Sequence, residues 1–234
     1  MQYATGDYGT DITTDSLQIP LTIDYFPTDR VNFELTIPYV YQSNSNTLFS
    51  GGMRFPFERR QGMRRTSFST NDSVSGIGDS SFTTKYLLKK ESKTLPGFIP
   101  LLYLKFPTGD EDKALGTGEF DIGGGLGIFK SFGPWSTSAE GRYIFQGSNS
   151  DFGLKDYGTL EGEISYKLTE RFFPSFSLWW SSAPADDASA LAEARLKGTY
   201  WLDKSVHLEG YLGKGLTNTT ADFGVGLNLI FGFK

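Results

Sequence analysis

The sequence of 234 residues contains no cysteine and only one histidine, His207. Without cysteine the chain forms neither a disulfide framework nor a thiolate metal site, and a single histidine excludes metal sites built from several histidines. The order of serine and histidine also gives no signature of a nucleophile with its base. We therefore expect a protein that is not an enzyme and that binds neither a metal nor another cofactor.

Long apolar segments and an excess of positive charge are absent as well. No window approaches the roughly 18 consecutive apolar residues that a membrane-spanning helix needs, and the mean hydropathy is -0.30. The net charge of -5 is opposite in sign to the basic surfaces with which proteins bind nucleic acid. These absences exclude a helical membrane protein and argue against a nucleic-acid partner.

What the sequence does contain is alternation of apolar with polar or small residues. It is clearest at the C-terminus, where only Ile230 interrupts the series Phe223, Val225, Leu227, Leu229, Phe231 and Phe233. A run of about 11 alternating residues is typical of a tilted membrane strand. Because such a strand exposes only every second side chain to lipid, a barrel of these strands also accounts for the low mean hydropathy.

The same alternation predicts ten further strands and a weaker first one. They cover 3–8, 17–25, 31–41, 82–88, 100–106, 120–128, 135–145, 160–168, 172–180, 194–202 and 206–212. With the last strand this makes twelve, and an even count returns both termini to the same side. We predict an all-β fold, a transmembrane antiparallel up-and-down β-barrel of twelve strands that forms a single domain over 1–234 and acts as a monomer.

The connections between these strands alternate in length, which predicts the topology. Short turns are expected at 26–30, 91–97, 131–134, 168–171 and 202–205, and longer loops at 9–15, 43–76, 109–118, 147–156, 182–193 and 217–220. Outer-membrane barrels have short periplasmic turns and longer extracellular loops. We therefore expect both termini in the periplasm and 43–76 as a long extracellular loop.

The inward face of these strands carries charges of both signs and two tryptophans. The predicted lumen and selectivity residues are Glu34, Asp79, Lys85, Lys105, Asp121, Glu140, Arg142, Glu161, Glu163, Arg195, Lys197, Glu209, Asp222, Trp179 and Trp201. In a barrel of intermediate width such charges either pair into a network that closes the lumen or line a narrow wet path. The aromatic side chains either form an apolar slide for a solute or fill voids.

The loop 43–76 is basic. It carries Arg54, Arg59, Arg60, Arg64 and Arg65, with Glu58 and Asp72 as its acids. One hypothesis is that it folds onto the lumen as a gate. The others are that it binds phosphates of lipopolysaccharide or that it is a solvated, mobile segment.

Three local motifs resemble a known family. They are Ser75-Gly76-Ile77-Gly78-Asp79 before a strand, Phe106-Pro107-Thr108-Gly109-Asp110 after one, and Gly116-Thr117-Gly118-Glu119-Phe120-Asp121 before the next. Together they resemble the outer-membrane transporters associated with meta-pathway phenol degradation, most clearly from Gly76 to Gly147. The resemblance implies a β-barrel in the outer membrane of Gram-negative bacteria that passes small, often aromatic or hydrophobic compounds. It implies no role for any single residue.

These observations together favour an outer-membrane channel for passive passage of a small solute, hydrophobic or aromatic. Its expected surroundings are outer-membrane lipid and lipopolysaccharide. One alternative is a narrow channel for polar solutes such as nucleosides, whose bases would stack on inward aromatic residues. The other is a closed structural or surface-interaction barrel whose loops bind a partner.

Overall fold

A computed structural model describes residues 1–57, 72–148 and 152–233. Its strands are β1 (Gln2–Gly6), β2 (Thr14–Thr28), β3 (Val31–Gln42), β4 (Thr47–Ser50), β5 (Met53–Pro56), β6 (Val74–Ile77), β7 (Ser80–Tyr86), β8 (Gly97–Phe106), β9 (Asp121–Phe132), β10 (Trp135–Phe145), β11 (Tyr157–Tyr166), β12 (Phe172–Ser181), β13 (Leu191–Trp201), β14 (Val206–Gly215) and β15 (Phe223–Phe233). A single 3-10 turn over Glu111–Lys113 is the only helical element of the described chain. None of these described residues forms a helix long and apolar enough to cross a membrane.

The wall is one sheet that closes on itself. Each wall strand pairs antiparallel with the wall strands before and after it in the chain, and β1 joins β15 to close the ring. At one end β15 also makes a short parallel contact with β2, pairing Gly232 with Asp24. Since β6 and β7 are two halves of one wall strand, interrupted at Gly78 and Asp79, the barrel has twelve strands. This confirms the predicted all-β, twelve-stranded antiparallel barrel.

The two ends of the barrel differ in their connections. One end, called here the turn end, has the connections 29–30, 87–96, 133–134, 167–171 and 202–205. The other, called the loop end, has 7–13, 43–73, 107–120, 146–156, 182–190 and 216–222. The longest connections, 43–73 and 107–120, lie at the loop end, and four of the five at the turn end have two to five residues, as the sequence predicts. The connection 87–96 is the exception, since it is longer than 7–13 and 216–222. The periplasmic position of the turn end and of the termini stays a prediction.

The outer surface is apolar around the wall. Leu102, Ile122, Leu196 and Leu227 on four different strands are 65%, 57%, 63% and 54% exposed. Exposed aromatic residues ring the turn end, namely Tyr25, Tyr86, Phe132, Trp135, Tyr200 and Phe231. A second group rings the loop end, namely Tyr39, Tyr41, Phe120, Tyr143, Phe145, Trp180 and Phe223. An apolar belt between two aromatic girdles is the surface that a bilayer requires of a barrel.

Five prolines lie inside wall strands, where the missing N–H would normally break the hydrogen-bond ladder. One of them, Pro27, falls in the irregular part of the β2–β3 pairing between Tyr25 and Thr28. Pro38 faces the interruption between β6 and β7, and its carbonyl oxygen accepts a hydrogen bond from the Gly78 N–H at 2.8 Å. Pro100 and Pro174 each come one residue before their strand first pairs with the preceding strand. Pro20 lies beyond the part of β2 that pairs with β1. Each proline therefore occupies a place where one neighbouring ladder is already absent.

Two strands are not part of the wall. β4 and β5 pair with each other in a separate two-stranded sheet, formed by the first part of the connection that follows β3. Leu48, Phe49 and Phe55 of this hairpin have no solvent exposure. Since the barrel interior is the space these side chains fill, part of the connection predicted as an extracellular loop lies in the lumen.

Candidate solute channel

The hairpin Thr47–Pro56, called here the lumen hairpin, is fixed to the wall near the loop end. The Phe49 N–H donates to the Ala114 carbonyl oxygen at 3.0 Å. The Phe49 ring lies against Gly78, where a Cβ would come within 2.8 Å of it. The Thr47 hydroxyl donates a hydrogen bond to the side-chain oxygen of Gln42, at the end of β3, at 3.1 Å. These contacts join the hairpin to three separate segments, so it narrows the lumen as a fixed element.

A tight turn places the tip of the lumen hairpin in the interior. Gly51 and Gly52 both have positive φ, 58° and 81°, the conformation of a two-residue hairpin turn of the primed type. A Cβ on Gly51 would lie 3.0 Å from the Tyr157 hydroxyl and 3.4 Å from the Tyr103 hydroxyl. The hairpin thus reaches from β3 towards the β8 and β11 sides of the wall. The Gly-Gly pair between alternating apolar residues is the sequence signal that marks this hairpin, which was predicted only as part of a long loop.

Beside the lumen hairpin, three predicted lumen charges form a fully buried cluster. Lys105 Nζ lies 3.2 Å from Asp79 Oδ2 and 2.9 Å from Asp121 Oδ2, and none of the three side chains is exposed. The same ammonium group donates to the Ser50 hydroxyl at 3.0 Å, and so connects the wall to the hairpin. Two carboxylates share one ammonium group here, and close pairing of this kind is how proteins tolerate buried charge. These residues therefore join the hairpin to the wall and are enclosed between the two.

The three motifs that carry the family resemblance meet at Asp79. Its Oδ1 accepts from the Gly109 N–H and its Oδ2 from the Thr117 N–H, both at 3.0 Å. Gly116 packs so closely that a Cβ there would be 2.3 Å from Asp79 Oδ1. The motifs are distant in sequence and adjacent in the fold. Their residues shape the loop end around one carboxylate.

Most other predicted lumen charges form partly exposed ion pairs on the wall. The pairs are Lys85 with Glu34 at 3.1 Å, Lys197 with Glu163 at 2.6 Å and with Glu209 at 3.8 Å, Arg142 with Glu140 at 2.6 Å, and Arg195 with Glu193 at 2.9 Å. Glu193 was not predicted, although it alternates with Arg195 on β13. The predicted lumen charges thus form two groups, one enclosed beside the lumen hairpin and one partly exposed on the inner wall.

Cavities follow the lumen past the tip of the lumen hairpin. One of about 240 Å³ adjoins Arg54 and Tyr211, one of about 180 Å³ adjoins Tyr103, and both are lined by Trp179 and Glu161. A third, of about 360 Å³, shares Glu140, Arg142 and Glu161 with the second. The three cavities are neighbours along one path. Their lining combines charged pairs with aromatic rings.

A further cavity of about 560 Å³ lies at the turn end. It is lined by Asp24, Phe26, Trp201, Lys204, Ser205, His207, Ile230 and Gly232. The rings of Trp201 and His207 are 4.5 Å apart. The predicted Trp201 is thus separate from Trp179, and it belongs to the mouth of the barrel at that end.

The remaining predicted site residues do not lie together. Asp222 lies exposed at the rim of the loop end, 3.9 Å from Lys214. Arg54 lies in the lumen on β5, whereas Arg59, Arg60, Arg64 and Arg65 lie outside the described residues. Across the described ranges, no group of three or more His, Asp or Glu side chains is arranged to hold a metal ion.

A closed barrel with an apolar belt and a partly filled polar lumen defines the class of outer-membrane channels. The chain belongs to the family described as "Putative MetA-pathway of phenol degradation", whose profile matches residues 22–233. This confirms the family that the three motifs indicate. No curated protein sequence matches the chain.

Two solved channels share the architecture. An outer membrane channel from Pseudomonas putida F1 superimposes with a TM-score of 0.71 at 19% identity, covering 98% of this chain and 91% of that one. The KdgM porin gives 0.55 at 11% identity, with coverages of 100% and 98%. It has also been solved in complex with disordered oligogalacturonate. At these identities the likeness establishes the common barrel fold.

Proposed function

We propose that the chain is an outer-membrane channel through which small hydrophobic or aromatic solutes pass passively. The observation that carries the proposal is the series of neighbouring cavities that passes the tip of the lumen hairpin. Met53, Tyr103, Tyr157 and Trp179 line this passage. Their apolar surfaces favour a solute with a flat or apolar body.

Charged side chains tune which solutes pass. The ion pairs that Lys85, Arg142 and Lys197 form are 15% to 29% exposed, so they face the lumen while largely neutralising one another. A paired lining keeps the path wet without a strong field of either sign. In this proposal Arg54, with Arg59, Arg60, Arg64 and Arg65 of the same connection, sets selectivity at the loop end.

The channel acts as a monomer in contact with lipid on all sides. Apolar residues are exposed on strands around the ring, including Ile19, Leu102, Leu160, Leu196 and Leu227. A belt that is apolar around the whole ring lets lipid cover every side of the barrel. At the loop end, the basic connection is the part of the chain that would contact the phosphates of lipopolysaccharide.

Solute flux into proteoliposomes tests the function. We expect benzyl alcohol and similar single-ring compounds to enter faster than through protein-free vesicles of the same lipid, and faster than sugars of comparable mass. Nucleosides that enter faster than the aromatic compounds would establish a polar-solute channel. A barrel with neither solute flux nor ion conductance would have to act as a closed structural protein.

A further inference from the structure

Arg54 differs from the other cations of the described lumen. Lys85, Lys105, Arg142, Arg195 and Lys197 each have a carboxylate within 4.0 Å. Arg54 instead donates from Nε to the neutral side-chain oxygen of Gln42 at 3.0 Å, and its guanidinium lies 5.1 Å from the centre of the Phe49 ring. Its Nη2 is enclosed and has no hydrogen-bond partner. The hairpin therefore holds a positive charge that no acid of the described chain neutralises at close range.

This charge borders a cavity with flat walls. Arg54 lines the cavity of about 240 Å³ together with Tyr8, Trp179, Leu191 and Tyr211. Tyr8 comes from the connection 7–13, and burial raises the pKa of its hydroxyl, which therefore stays protonated and neutral. Aromatic rings that line a small cavity offer faces and edges for another ring.

The acids of the same cavity are engaged elsewhere. Both oxygens of Glu193 accept hydrogen bonds from Arg195, at 2.9 Å each. Glu161 also lines the cavity, and it lies within electrostatic range of Arg195 and Lys197. The lining thus carries two acids and two bases, and among the described residues Arg54 is the base that has no carboxylate within 4.0 Å.

We propose that Arg54 is a binding residue for the carboxylate of a small aromatic acid that occupies this cavity on its way through the channel. This inference rests on the proposed channel function and adds that the solute carries a negative charge. A guanidinium group forms charge-assisted, often paired, hydrogen bonds with a carboxylate, and an enclosed cation without an acid is costly until an anion reaches it. The cavity volume limits the ligand to about the size of one ring.

Binding of benzoate to the detergent-purified protein, measured by calorimetry, tests the inference, with benzyl alcohol as the neutral analogue. The variant Arg54→Gln keeps an amide that can bond Gln42 but removes the charge. We expect it to weaken benzoate binding by about tenfold or more, since hydrogen bonds to charged groups are the strong ones. Binding of benzyl alcohol should change less than twofold, about the scatter expected when no contact is lost.

Two further variants separate binding from structure. Arg54→Lys keeps the charge but removes the planar guanidinium group with its paired donors. Its benzoate affinity should therefore lie between those of the wild type and Arg54→Gln. Arg171→Gln makes the same charge change in the connection 167–171, away from the cavity, and should bind benzoate as the wild type does. Circular dichroism verifies that each variant retains its β-structure.

The possible failures point to different conclusions. Equal benzoate affinity in the wild type and Arg54→Gln, or no benzoate binding by the wild type, overturns the assignment of Arg54. Absence of solute flux into proteoliposomes, with Arg54-dependent benzoate binding intact, overturns the channel function and leaves the anion site standing. Flux of benzyl alcohol without benzoate binding overturns the anion site and leaves the channel function standing.

Discussion

At the scale of single residues, burial divides the lumen charges into structural and lining groups. Lys105, Asp79 and Asp121 are fully enclosed, whereas the Lys85 and Glu34 side chains are each 27% exposed. An enclosed charge depends on its partners because water cannot replace them, whereas solvent weakens the attraction within a partly exposed pair. The same residue types on the same barrel face therefore have different energetic roles.

Replacing Lys105 by Met tests this division. It removes the cation that two buried carboxylates share, so we expect a loss of about 3 to 5 kcal/mol in the free energy of unfolding. Lys85→Met also removes one lysine from an inward ion pair, but that pair is partly exposed and should cost less than about 1 kcal/mol. Urea titration of the lipid-folded protein measures both values. Similar losses for the two variants would contradict a special role for the buried cluster.

At the scale of elements, the wall strands were predictable and the lumen hairpin was not. Alternation over about ten residues per strand is a local signal that reflects the contrast between lipid and lumen. The strands β4 and β5 have four residues each, too few for alternation to be decisive. Their inward position depends on partners distant in sequence, such as Lys105 for Ser50. The Gly51-Gly52 turn was the one local signal available.

The candidate site shows the same limit. The face of each charged residue follows from strand parity, so the inward positions of Glu34, Lys85 and Lys197 could be predicted. Which charges become enclosed depends on where the lumen hairpin lies. Strand parity does not predict the position of the hairpin. Strand parity therefore predicts which charges face inward, whereas the enclosure of Lys105 beside the lumen hairpin follows only from the fold.

Loosening the lumen hairpin should widen the channel. Leu48 and Phe55 are fully buried, so Leu48→Ser combined with Phe55→Ser removes apolar contacts that hold the hairpin in place. We expect larger and noisier single-channel currents in planar bilayers than for the wild type. The control pair Leu88→Ser and Leu95→Ser changes two leucines exposed at the turn end, and should leave the current unchanged. Identical currents for both pairs would mean that the hairpin does not limit conduction.

At the scale of the whole molecule, the separation of short and long connections defines a direction in the membrane. The chain has no cysteine, so one introduced thiol reports one position. Ser73→Cys, exposed at the loop end, should react with a membrane-impermeant maleimide on intact cells. Lys93→Cys, exposed at the turn end, should react only after the outer membrane is opened. The opposite labelling pattern would place the turn end outside the cell.

The apolar belt makes a second prediction at this scale, because adjacent residues of β15 face opposite media. Leu227 is 54% exposed on the outer surface, and Asn228 faces inward, opposite Glu209 on β14. Arginine on the lipid face costs about 2 to 4 kcal/mol near the bilayer midplane, so Leu227→Arg should lower the free energy of unfolding in lipid by that amount. Asn228→Arg adds the same side chain beside a carboxylate and should cost much less. In detergent micelles, which adapt their shape around a charge, the penalty at position 227 should shrink. Equal destabilisation by the two substitutions in a reversible lipid-folding assay would contradict either the register of β15 or the lipid contact of its outer face.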